Sequence, residues 1–135
     1  MDIPGFGVVE GEWDLRGGLD DYLGRVPLSG KRLLDVGAAS GAISFYAESR
    51  GAEVVSFDLS EDFSWDLVPR AGADEAAADA LRRGHLRAIN NGYWFCHRAL
   101  GSRARLAHGV VYDIPRQIGP VDIAVFGSIL LHLRD

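Results

Sequence analysis

The chain has 135 residues, 47% hydrophobic and 24% charged, with a formal net charge of −5. This is ordinary globular composition with enough chain for one domain and its core. The acidic balance speaks against a broad electrostatic grip on nucleic acid, which rests on many Lys/Arg–phosphate contacts. The start lacks the basic, apolar pattern of a signal peptide, and no apolar run is long enough to cross a bilayer, so no membrane partner is expected. Cys96 is the single cysteine, which excludes an internal disulfide and is compatible with the cytoplasmic location we expect.

Residues 1–30 read as an N-terminal helical segment. Within it, Trp13 to Arg25 carries a short helix around Leu19, Tyr22 and Leu23, and Pro27 and Gly30 punctuate its end. Residues 31–135 read as alternating strands and helices. The first strand, Arg32–Val36, is apolar enough for burial on both faces. A crossover helix follows from Ala42 to Ser49, with Ile43, Tyr46 and Ala47 expected inside and Gly51 as its stop. The second strand is Glu53–Phe57, and Ser60 to Gly72, holding Phe63, Trp65 and Pro69, is irregular.

An Ala-rich helix begins at Asp74, with Leu81, His85 and Ile89 spaced for one face. Asn90-Asn91-Gly92 predicts a break, and Tyr93–Leu100 a second helical piece. The third strand is Ala104–His108, continuing through Val110 and Val111 towards Asp113, and the fourth is Val121–Phe126. No repeat is visible, and only Ala71 to Ala80 is compositionally biased.

Alternation of this kind predicts a mostly parallel sheet with right-handed crossovers. Ligands collect at the carboxyl ends of such strands, where strand order reverses. The reversal falls between the first and fourth strands, so the turn at Gly37 faces Phe126-Gly127-Ser128. Gly37 and Gly41 permit close backbone approach, and the helix opening near Gly41 directs N–H groups and its positive end at the same spot. Asp58, at the tip of the second strand, lies at the offset where a carboxylate accepts both hydroxyls of a ribose. Taken alone, the turn is equally a tight βα turn of any α/β protein.

A dinucleotide fingerprint asks for glycine where this chain has Ala39 and Ala42. What the chain matches, through Asp35, Gly37, Ala39 and Gly41, is Asp-x-Gly-x-(Gly/Ala)-x-Gly. This resembles the first motif of class I S-adenosylmethionine-dependent methyltransferases, with Ala39 a mild departure. Gly109-Val110-Val111-Tyr112-Asp113-Ile114-Pro115 is similar to the segment covering the adenine ring in that family, and Asp122 to Asp135 to its fourth strand and following turn. Val110 stands where many members have Asp, which leaves adenine recognition to the backbone around Val111 and Tyr112; Asp113 is an open candidate.

The resemblance implies a Rossmann-like parallel sheet with flanking helices. It implies S-adenosyl-L-methionine as cofactor, held by Asp35, Gly37, Ala38, Ala39, Gly41, Asp58, Leu59, Val111, Tyr112 and Phe126. The family's sheet has seven strands, so the chain is expected to be an incomplete domain that stops after the fourth. The acceptor implied is a small molecule more than RNA: the Asp122–Asp135 pattern is common among methyltransferases of small molecules and occurs in some that modify RNA, and the missing Asn/Asp-Pro-Pro-aromatic motif speaks against methylation of a base amine. The alternatives are a tRNA nucleoside and a non-catalytic nucleotide-binding fragment. Trp13-Asp14-Leu15-Arg16, the Trp65 loop and Val111-Tyr112-Asp113 are similar to a branch related to enzymes that alkylate wobble uridine.

No catalytic base is identified. His132 is open to two readings, a base on a substrate hydroxyl or a helix-face histidine. His85, His97 and His108 lack ligand-like spacing with one another or with Cys96, so no metal is expected. Cys96 and His97, adjacent on a helix, point apart and form no nucleophile dyad. Tyr93, Trp94 and Phe95 are open between pocket lining and core packing. Arg82, Arg83 and Arg87 with Arg98, Arg103 and Arg105 are open between a local basic groove and a solvated helix face.

Overall fold

The chain opens on an antiparallel hairpin, β1 (Asp2–Ile3) paired with β2 (Gly7–Val8), where the sequence predicted only helix. Pro4 and Gly5 interrupt the run, Gly5 and Gly7 take positive φ, and burial of Ile3 fastens the hairpin to the core. The expected helix is a single turn, α1 (Leu19–Tyr22). The computed structural model describes residues 1–9, 14–66, 72, 74–127 and 129–133. Trp13, Pro69, Ala71, Ser128 and Asp135, each named above, lie outside the described residues.

The rest is α/β and Rossmann-like in general form. In chain order come β3 (Arg32–Val36), α2 (Ala42–Ser49), β4 (Glu53–Asp58), α3 (Glu75–Ala99), β5 (Arg105–His108) and β6 (Ile123–Phe126). The four strands pair in parallel, as the alternation predicted, in the order β5-β4-β3-β6, and the reversal lies between β3 and β6 where it was expected. Period-2 alternation along the strands divides the core in two. Leu33 and Val54 pack with Phe45, Ala47, Tyr93 and Cys96 of the two long helices. Leu34, Val36, Val55 and Phe57 form the other cluster, covered by Val111, Ile114, Ile118 and Ile129. Two crossovers of one hand, running the same way along the sheet, put α2 and α3 on one face.

Three details depart from the sequence reading. The buried residues of α2 are Ser44, Phe45 and Ala47; Ile43 and Tyr46 are half-buried, Tyr46 donating to Asp20 of α1. Helix α3 runs through Asn90-Asn91-Gly92 without a break. The Asn90 amide donates to the Leu86 carbonyl (2.9 Å) and the Leu59 carbonyl (3.2 Å), and Tyr93, fully buried, anchors the next turn. Packing there outweighs a propensity cost of roughly 1 kcal/mol for glycine. The inward stripe of α3 is Arg82, Leu86, Tyr93 and Cys96, whereas Leu81 is 76% exposed. Lastly, β5 ends at His108, and Val111–Asp113 is a 3₁₀ turn that carries Val111 and Ile114 onto the second core cluster. Among the described residues no helix is long and apolar enough to cross a membrane.

Candidate functional site

At the carboxyl edge of the sheet, the ends of all four strands surround a cavity of about 410 Å³, a size suited to a small molecule. Gly37 and Ala39 come from the turn after β3, and Phe57, Asp58 and Leu59 from the end of β4. Gly109 to Tyr112 follow β5, and Gly127 and Ile129 follow β6. Trp65 with His85, Leu86 and Ile89 of α3 line it as well, as do His132 and Leu133.

The turn is held from below. The Gly37 N–H donates to the Phe57 carbonyl (2.8 Å), and Gly37 and Ala39 take φ of +79° and +48°. Asp58 closes the arrangement: one carboxylate oxygen accepts the Ala39 N–H (2.5 Å), the other the Leu59 N–H (2.7 Å). Burial raises the Asp58 pKa, outweighing those two N–H groups and the nearby His108, which act to lower it. Each oxygen keeps a further lone pair, so this poorly hydrated carboxylate can accept two more hydrogens from a ligand.

Of the residues singled out in the sequence, the structure brings Gly37, Ala39, Asp58, Leu59, Val111 and Tyr112 together around the cavity. Four others are not among its lining residues. Ala38 is buried beneath the turn. Phe126 is 41% exposed at the end of edge strand β6. Gly41 caps α2 at φ +87°, and a Cβ there would lie 2.3 Å from the Phe45 ring, so core packing already demands this glycine. Asp35 turns into the helix-side core, where one oxygen accepts from Ser44 (2.6 Å) and the other has no partner among the described residues. Burial raises its pKa to about 6; the Ser44 bond opposes the shift and the charge of Asp58 adds to it.

The wall opposite the turn was only partly legible. Trp65 stood out by type, but Leu86 lies one position beyond the stripe expected for α3. The Trp65 and His85 rings meet edge to face, centroids 6.2 Å apart, and the Tyr112 hydroxyl donates to Asp66 (2.5 Å) across the cavity mouth. The guanidinium of Arg82 donates to the carbonyls of Phe63 and Glu61, and Arg87 bonds Glu61 (2.6 Å), which ties the connection after β4 down onto α3. Arg82 and Arg83 also pair with Asp79. Of the aromatic triplet, Tyr93 is core while Trp94 and Phe95 are exposed.

Cys96 is buried and its thiol pKa is raised by that burial. Among the described residues no group of three or more His, Cys, Asp or Glu side chains is placed to hold a metal ion. Comparison with protein-family models, with curated proteins and with solved structures finds no match to this chain.

Proposed function

We propose that the cavity binds the nucleoside of S-adenosyl-L-methionine, and that the chain serves a methyltransferase. The observation that carries this reading is Asp58. Its two oxygens are each fixed by one backbone N–H at the carboxyl edge of a parallel sheet, beside the reversal of strand order, with capacity left for a vicinal diol. The lining fits an adenosine: a diol acceptor at Asp58 and apolar surface from Leu59, Leu86, Val110 and Val111. When bound, the cofactor supplies a methyl group already activated on a sulfonium. The chain has to hold the nucleoside, exclude water and orient the acceptor.

On this reading the four parallel strands are the first half of a seven-stranded methyltransferase sheet. The acceptor is a small molecule; a tRNA nucleoside is less well supported, because Arg82, Arg83 and Arg87 are engaged by Asp79, Asp62 and Glu61. Calorimetry with S-adenosylhomocysteine tests the cofactor. Binding by the intact, folded protein that is lost in Asp58→Ala supports the reading, and no binding by the intact protein overturns it.

A further inference from the structure

A second carboxylate lies beneath the cavity floor, and the nucleoside site makes no direct use of it. Asp35 sits two residues before Gly37 on β3, paired with Ser56 on β4, which is two residues before Asp58. At roughly 3.3 Å of rise per residue it is one layer below the turn. Asp35 is 1% exposed and Ser44, Ser56 and Tyr93 are fully buried. When Asp35 is ionised, Ser44 Oγ donates to its Oδ2 (2.6 Å), and because each hydroxyl has only one proton the order along the chain follows. Ser56 donates to Ser44 (2.7 Å) and Tyr93 to Ser56 (2.8 Å). Three hydroxyls, from α2, β4 and α3, form one chain that ends at Asp35. The other oxygen, Oδ1, is buried and accepts from none of the described residues.

The groups that face Asp35 do not compensate its charge. From β4 come Ser56 and the like-charged Asp58; from β6 the register partner is Val125. From α2 comes Ser44, and Glu48 further along turns its carboxylate to Ser102 and the Arg103 N–H. From α3 come Tyr93 and, behind it, His97, whose Nε2 is bonded to the Ala104 carbonyl. An ionised Asp35 therefore has one hydroxyl for company and a negative neighbour at the cavity wall.

We propose that Asp35 holds a proton which the protein releases to solvent when the cavity above it takes up a cation, so that binding of a cationic ligand is proton-linked. The identity of that cation, the sulfonium of S-adenosylmethionine, rests on the cofactor reading above. A positive charge beside Asp58 offsets the repulsion between the two carboxylates and attracts the ionised form of Asp35 through poorly screened protein interior. The neutral carboxylic acid loses its proton, the ligand stays bound, and charge balances.

S-adenosylmethionine and S-adenosylhomocysteine differ by one methyl and one positive charge, which makes them a matched pair for the test. Titration calorimetry at pH 5.5 and pH 8, in buffers of low and high ionisation enthalpy, counts the protons exchanged. With the Asp35 pKa near 6, S-adenosylmethionine is expected to release a measurable fraction of a proton at pH 5.5, with a ceiling of roughly three quarters, and almost none at pH 8, and S-adenosylhomocysteine much less. Asp35→Asn should abolish the difference between the ligands. Ser44→Ala removes the donor that favours the ionised form, so it should move the release to higher pH; a merely structural role would lower stability without moving that window. Equal proton counts for the two ligands, or release that persists in Asp35→Asn, overturn the linkage while leaving the cofactor reading intact. Failure of both ligands to bind removes the cofactor reading, and the linkage falls with it.

Discussion

The segment from Asp35 to Phe45 serves two regions of the molecule that differ sharply. On the cavity side, Gly37, Ala39 and the neighbouring Asp58 line open space, and the carboxylate is held by two N–H groups. On the core side, Asp35 and Gly41 face Ser44 and Phe45, with one oxygen bare and no room for a Cβ. Half of the Asp-x-Gly-x-Ala-x-Gly pattern is therefore accounted for by holding α2 against the sheet, whether or not anything binds. Only the cavity half bears on function, and it is the half that needs testing.

The two glycines break this division most directly. Gly41→Ala meets both a left-handed φ and a ring locked between Tyr93 and His97. Backbone strain and overpacking together should cost about 2–5 kcal/mol in urea or thermal denaturation. Gly37→Ala has a similar φ, but its nearest neighbour is Ile129 at 3.4 Å, an ordinary contact. It should lose only about 1–2 kcal/mol of stability and show its main effect on ligand affinity. Equal destabilisation at the two positions would erase the distinction.

The two carboxylates sharpen it. Asp58→Ala removes an acceptor for two hydroxyls, each such bond to a charged group being worth about 1.5–3 kcal/mol, so affinity for S-adenosylhomocysteine should fall roughly 100-fold or more by calorimetry. Asp35 should show itself in stability instead. Its folded pKa, about 6, stands above the ordinary 3.8, so the folded state binds the proton more tightly. Its stabilising contribution is full below about pH 4 and lost as pH rises through 6, about 3 kcal/mol in all. The raised Asp58 acts in the same direction. Asp14, exposed and lowered by Arg16, acts in the opposite one, but only below about pH 4. Urea melts between pH 4 and 7 should slope downward, and Asp35→Asn should flatten most of that slope.

Where tertiary packing agreed with local signals, the sequence was enough. Arg32–Val36 and Ala42–Ser49 have the bounds expected from apolar runs and glycine stops, and the parallel pairing of the strands follows from alternation. The cavity residues contributed by strand ends were legible for the same reason. What could not be read depended on contacts distant in the chain. Asn90 and Gly92 look like a helix break until Leu59 and Leu86 supply acceptors for the Asn90 amide. Asp35 reads as a ligand group because the pattern is silent about which face of β3 its side chain takes. Ser44 and Ser56 carry no motif, and only folding brings them to Tyr93.

That hydroxyl chain offers the smallest and most discriminating measurement. Tyr93→Phe keeps the ring packed on Phe45, whose centroid is 5.0 Å away, and deletes only the donor at the far end of the chain. Ser56 then loses one hydrogen bond, a cost of about 1 kcal/mol in urea denaturation at neutral pH. Hydrogen bonds in series polarise one another, so removing the head of the chain weakens each later bond a little. The midpoint of the pH-dependent slope should therefore rise in Tyr93→Phe, by clearly less than in Ser44→Ala, which strips Asp35 of its direct donor. A shift as large as that of Ser44→Ala would mean that the three hydroxyls act on Asp35 as a unit. No shift at all would mean that Asp35 responds only to the atoms it touches.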